Sequence, residues 1–159
     1  MPIQIVMANT YSQIYIHVVF VVKYRRGLIS EKWKDELCKY ITGIVKGRNQ
    51  KLIIVNGVSD HIHILLAIKP DCKLSDLVRD IKSDSALWIN TRFYKPGYFR
   101  WQNGFGAFSV GHSRLNNVIQ YIENQEAHHA VKLFRKEYEE LLLDNEIDFK
   151  SEYVFQELT

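Results

Sequence analysis

The run from residue 58 to residue 68, Val-Ser-Asp-His-Ile-His-Ile-Leu-Leu-Ala-Ile, constrains this chain most. Successive side chains of a strand point to opposite faces of its sheet. Ile62, Ile64, Leu66 and Ile68 therefore share one apolar face, while His61 and His63 share the other with Leu65 and Ala67. Such a strand belongs in a sheet whose oily side is covered by helices and whose histidine side needs a cover of its own. Two imidazoles placed this way point in the same direction and can reach one metal ion. They can equally be two polar groups on a wet face. The strand alone supports both readings, because a metal centre needs a third ligand.

The rest of the chain supplies the partners of that strand. Residues 11–24 alternate, with Ile14, Ile16, Val18, Phe20 and Val22 on one side and Gln13, Tyr15 and His17 on the other. Residues 30–47 carry Trp33, Leu37, Tyr40, Ile41, Ile44 and Val45 at helical spacing, with Ser30 as N-cap and Gly47 and Asn49 as the stop. Leu52–Val55 reads as a short strand, and Asn56-Gly57 is a hairpin signal leading into the histidine strand. Leu74, Leu77, Val78, Ile81, Trp88 and Ile89 mark a second amphipathic helix that Pro96-Gly97 ends. A short strand follows near Ala107–Val110. The order strand–helix–strand–strand–helix–strand predicts an α+β domain. Its antiparallel, ferredoxin-like sheet has helices packed on one face.

The chain's 159 residues suit one compact domain, spanning 1–159 with a core at about 11–140. At this length a hydrophobic core forms without a disulfide. Cys38 and Cys72 stand alone, as reduced thiols of an intracellular protein do. No export signal is evident, and the apolar stretch Ile14–Val22 is far shorter than the ~20 residues that span a bilayer. The formal charge of +3 permits a polyanionic partner without demanding one.

The cover for the histidine face is expected from a helix at about Arg114–His128, capped by Ser113 and packed through Leu115, Val118, Ile119 and Ile122. A polar stripe runs beside it through Arg114, Asn117, Tyr121, Gln125 and His128 or His129. Tyr121 and Gln125 stand about 6 Å apart along the helix axis. The Gln125 amide oxygen is a reasonable third ligand beside two imidazoles. Tyr121 offers an oxygen nucleophile, but its unperturbed pKa of about 10 makes it a poor one without proton removal and a strong electrophile. Against this stands the plainer reading, in which Tyr121 edges the core and Gln125 is solvated.

Taken together these residues resemble the single-tyrosine HUH transposases of the insertion-sequence 200/605 family. His61-Ile62-His63, with Asp60 ahead of it, matches the histidine–hydrophobic–histidine strand, and Tyr121-x-x-x-Gln125 matches the catalytic helix. Further similar stretches are the run from His17 to Arg26, Asp80-Ile-Lys82, Trp101-Gln102-Asn-Gly-Phe105 and Gln125-Glu-Ala-His-His129. The resemblance spans roughly residues 11 to 140. It implies a metal-dependent single-stranded DNA endonuclease and strand transferase of the prokaryotic cytoplasm. Tyr121 would form a 5′-phosphotyrosine link, and His61, His63 and Gln125 would hold Mg²⁺ or Mn²⁺. It also implies a homodimer with active sites completed in trans, acting on single-stranded DNA with subterminal hairpins. Lys23, Arg25, Arg26, Lys82 and Arg114 are candidate phosphate contacts, and His17, Asp60 and His128 candidate supports of the ligands. Glu137, Glu139 and Glu140 read as a solvated helical face.

Other classes fit less well. Histidine-triad nucleotide hydrolases need a third alternating histidine where Leu65 stands. Cupin-like centres need a downstream glutamate, and Ile64–Lys73 holds none. A second His-x-Thr/Ser motif, required by two-histidine phosphoesterases, is missing. Two alternatives keep their place: a non-catalytic ferredoxin-like RNA- or DNA-binding module, and a domesticated relative that cuts host repeat hairpins.

Overall fold

The computed structural model describes residues 10–127 and 134–150. Alternation in the first segment yields β1, Ile14–Val21. It is followed by α1, Lys34–Gly47, and by the hairpin of β2, Lys51–Val58, and β3, His61–Ile68. Then come α2, Leu74–Arg92, and β4, Gly106–Val110. The strands form one antiparallel sheet in the order β2-β3-β1-β4. This is the predicted α+β, ferredoxin-like architecture. Among the described residues no helix is long and apolar enough to cross a membrane.

The two faces of the sheet divide as the alternation requires. Val18, Phe20, Ile62, Ile64 and Leu66 pack beneath Leu37 and Ile41 of α1 and Val78, Ile81 and Ile89 of α2. Each such side chain stabilises the fold by roughly 1.5–3 kcal/mol on burial. Three hydrogen-bonded clamps hold the segment before β4 onto α2. Asn90 accepts from Phe99 N at 2.8 Å and donates to its carbonyl at 3.0 Å. Trp101 Nε1 donates to Ser85 Oγ at 3.0 Å. Lys82 Nζ donates to the carbonyls of Gln102 at 2.6 Å and Gly104 at 2.7 Å.

Several local expectations change. The hairpin does not turn at Asn56-Gly57: both lie in β2, paired with His63 and Ile62, and the turn is Ser59-Asp60. Gly57 serves a close approach instead, since a Cβ there would strike the His61 carbonyl oxygen and come within 2.7 Å of Ile62 Cδ1. Ser30 does not cap α1; its Oγ accepts from Lys32 N at 3.1 Å in a turn before the helix begins.

The histidine face is covered by two helices rather than one. A 3₁₀ turn at His112–Arg114 leads into α3, Leu115–Glu123. Ser113 lies inside that turn, and Arg114 takes the N-cap position of α3. A turn at Asn124 interrupts the predicted continuous helix before helical backbone resumes at residue 125. His128 and His129 lie outside the described residues. Asn56 Nδ2 fixes the end of α3 by donating to the carbonyls of Ile122 at 3.0 Å and Glu123 at 3.1 Å. The second cover is α4, Phe134–Asp144, whose Phe134, Tyr138 and Leu142 pack on Val19, Val21 and Phe108.

Candidate active site

β3 brings both imidazoles inward, with His61 only 1% exposed and His63 fully buried. Each ring is held through Nδ1. Asp60 Oδ1 lies 2.8 Å from His61 Nδ1, and His17 Nε2 lies 2.8 Å from His63 Nδ1. Both rings therefore turn Nε2 toward a common space, the arrangement by which carboxylate or imidazole partners orient metal-binding histidines. Burial, and next the neighbouring His63 charge, push the pKa of His17 down to about 3 against an upward pull from Glu137. The contact with His17 through Nδ1 aims the His63 Nε2 toward the space shared with His61 and Glu137.

α3 and its continuation bring the other groups. Gln125 is fully buried, with Oε1 3.1 Å from His61 Nε2 and its amide donating to the Tyr121 carbonyl at 3.4 Å. Tyr121 stands edge-on to His63 of the same chain, ring centroids 5.6 Å apart, and 6.1 Å from His17. Burial raises the Tyr121 pKa above its ordinary value. The Glu137 charge and a hydrogen bond to Glu137 push the same way, while a hydrogen bond with Gln125 opposes them.

The acidic member was not anticipated. Glu137 is 5% exposed, and its Oε1 sits 3.4 Å from His63 Nε2 and 3.9 Å from His61 Nε2. It is therefore no part of a solvated face. The signal was the stripe Phe134, Tyr138, Leu141 and Leu142, which at helical spacing puts Glu137 on the same buried side. Ligand atoms of His61, His63 and Glu137 lie within 4.8 Å of one another, so the three could hold one metal ion. Two imidazoles with nearby carboxylate and amide oxygens suit a divalent ion.

The basic candidates separate. Lys23 and Arg25 lie in a 3₁₀ turn directly after β1, where Tyr24 (φ 61°) and Arg25 (φ 54°) take left-handed backbone. Val22 N donates to the Asp60 carbonyl at 2.8 Å, which ties this turn to the residue before His61. Lys23 and Arg26 flank the Tyr24 ring at 5.4 and 5.8 Å. Arg114 is exposed on the wall of a cavity of about 380 Å³ that also touches His17. Lys82 differs: its ammonium is half-buried and bound to two carbonyls, so it serves as a clamp where a phosphate contact was expected.

Fold and site together define a class: a ferredoxin-like sheet that buries a His-hydrophobic-His pair, with a tyrosine from a covering helix beside it. The family described as "Transposase IS200 like" matches residues 10–125, and the chain belongs to that family of DNA-cleaving enzymes. The transposase for insertion sequence element IS200 of Salmonella typhimurium is 26% identical over 125 residues, covering 75% of this chain and 81% of the relative. The ISDra2 transposase TnpA of Deinococcus radiodurans is 24% identical over 118 residues, covering 71% and 84%. Two solved structures share the fold. A protein of Deinococcus radiodurans assigned as a transposase superposes with a TM-score of 0.62 at 23% identity, over 77% of this chain and 98% of its own. A REP-associated tyrosine transposase bound to a REP hairpin gives 0.60 at 15% identity, over 79% and 74%.

Proposed function

We propose that this chain is a metal-dependent single-stranded DNA endonuclease and strand transferase that cuts and rejoins the ends of an insertion element. The observation that carries this reading is the meeting of Tyr121 with His61, His63 and Gln125 inside one chain. Tyr121 Oη attacks the scissile phosphorus, forming a phosphotyrosine ester as the bond to the 3′-oxygen breaks. The proton that the phenol gives up is matched by the one the leaving 3′-oxygen gains. A 3′-hydroxyl later displaces the tyrosine, so bond energy is conserved and no ATP is needed. His61, His63 and Gln125 would hold Mg²⁺ or Mn²⁺. When bound, the ion polarises a phosphoryl oxygen and screens its charge. Asp60 and His17 fix the two imidazoles. Burial and the Glu137 charge favour the protonated phenol of Tyr121.

Lys23, Arg25, Arg26 and Arg114 contact the DNA backbone in this reading, and a unit of about residues 11–140 does the work in the prokaryotic cytoplasm. The DNA partner carries subterminal hairpins, and the active species is a homodimer.

The test is incubation with end-labelled single-stranded DNA and Mn²⁺, followed by denaturing electrophoresis. A covalent protein–DNA adduct is expected, absent from Tyr121→Phe and absent with chelator. DNA binding without any adduct from the wild-type chain would refute the reading in favour of a binding module.

A further inference from the structure

We infer that Glu137 is a ligand of the same metal ion, so that the C-terminal helix α4 completes the metal centre and is locked down when the ion binds. This rests on the metal site proposed above. It also goes beyond the family's matched region, which ends at residue 125, short of α4.

Three observations carry it. The first is placement: Glu137 Oε1 lies 3.4 Å from His63 Nε2 and 3.9 Å from His61 Nε2, on the side of both rings that their Nδ1 partners leave open. The second is burial. A carboxylate only 5% exposed costs several kcal/mol to desolvate unless opposite charge or hydrogen bonds compensate it. Glu137 shares a hydrogen bond with Tyr121, but no lysine or arginine pairs with it among the ion pairs of the described residues. A bound divalent cation is a natural counter-charge for that buried carboxylate. The third is the rigidity of the arm. Phe134, one turn before Glu137, stacks on His61 with ring centroids 3.6 Å apart and an interplanar angle of 8°. Tyr138, the next residue, packs so tightly on Gly106 that a Cβ there would lie 2.7 Å from its hydroxyl. Glu137 is thus held between two anchored aromatic rings and aimed at the histidines.

Two neutral imidazoles and a carboxamide alone make a weak site for a hard divalent ion. A carboxylate adds the negative charge that such ions prefer. Docking of α4 and binding of the ion therefore favour each other, and by linkage the ion stabilises the docked helix.

The experiment is Mn²⁺ titration of the full chain by calorimetry, with hydrogen exchange of α4 measured with and without Mn²⁺. Wild-type protein is expected to bind Mn²⁺ and to show slower exchange across residues 134–144 when it does. Glu137→Gln should melt no lower than wild type without metal, bind Mn²⁺ at least ~10-fold more weakly, and lose the metal-dependent protection. Equal or tighter Mn²⁺ binding by Glu137→Gln would overturn the inference, as would faster α4 exchange on adding Mn²⁺ to wild type. The exchange measurement needs no substitution, so it decides even if the variant folds poorly. No Mn²⁺ binding by wild type would remove the metal site itself. Binding that ignores Glu137 would remove only the role of α4.

Discussion

His17 Nε2 and His63 Nδ1 lie 2.8 Å apart in the buried face of the sheet, and the burial of His17 there, with the His63 charge second, makes the fold sensitive to acid. His17 is held at a pKa of about 3 in the native protein, against about 6.5 when unfolded. Between those values the unfolded chain binds the extra proton and the native chain does not. Stability from this group is therefore complete above the unfolded pKa and is lost as pH falls through the window toward the native value. His17→Phe should remove on the order of a few kcal/mol of that pH-dependent loss. Urea unfolding in chelator at several pH values across the window reads it; identical slopes for the two proteins would count against the assignment.

Asn56 reaches across from β2 to hold the last carbonyls of α3, the helix that carries Tyr121. Asn56→Ala should cost about 1 kcal/mol in stability and slow adduct formation well beyond that, because the phenol loses its fixed position. Single-turnover cleavage beside thermal melts separates the two effects. A variant that cleaves at the wild-type rate would show that the clamp is only structural.

Asp60 orients His61 through Nδ1, the ring nitrogen opposite the one that faces Gln125 and Glu137. Asp60→Ala should weaken Mn²⁺ binding roughly 10–100-fold while leaving the fold intact. Calorimetric titration measures it. Affinity within error of wild type would mean that His61 is oriented by its packing alone.

Gly57→Ala is expected to destabilise the protein by roughly 1–3 kcal/mol or more, since the added methyl meets the His61 carbonyl oxygen and the Ile62 side chain. Denaturant midpoints test this. A neutral result would show that the hairpin relaxes easily, and with it the histidine strand.

The basic residues should part company in salt titrations of DNA binding. Arg26→Ala should reduce the slope of log affinity against log salt by about 0.7 for a single lost contact to a single strand. Lys82→Met should leave that slope unchanged and lower the melting temperature, since its ammonium binds Gln102 and Gly104. The opposite pattern would reassign both residues.

The sheet was legible because β1 and β3 contrast so strongly from one residue to the next. Val18, Phe20, Ile62 and Ile64 could face only a helix layer, which left His17, His61 and His63 together on the far side. What escaped was decided by contacts between distant segments. Asn56-Gly57 has the composition of a turn, but pairing of Asn56 with His63 moved the turn to Ser59-Asp60. The apolar stripe of α3 gave no sign of the break at Asn124. Glu137 stands next to Lys136 and near Glu139 and Glu140, a pattern that usually means solvent; only packing of Phe134 and Tyr138 on the sheet shows that it faces inward.

The division of labour between the sheet's two faces has an evolutionary consequence. Hydrophobic residues that keep the chain folded and polar groups that would break DNA alternate along the same strands. Under the proposed function, one substitution at Tyr121 or His63 would silence the chemistry while Ile62, Ile64 and the paired helices kept the sheet together. A host that inherits such a gene can keep a sturdy nucleic-acid-handling scaffold long after the element has stopped moving.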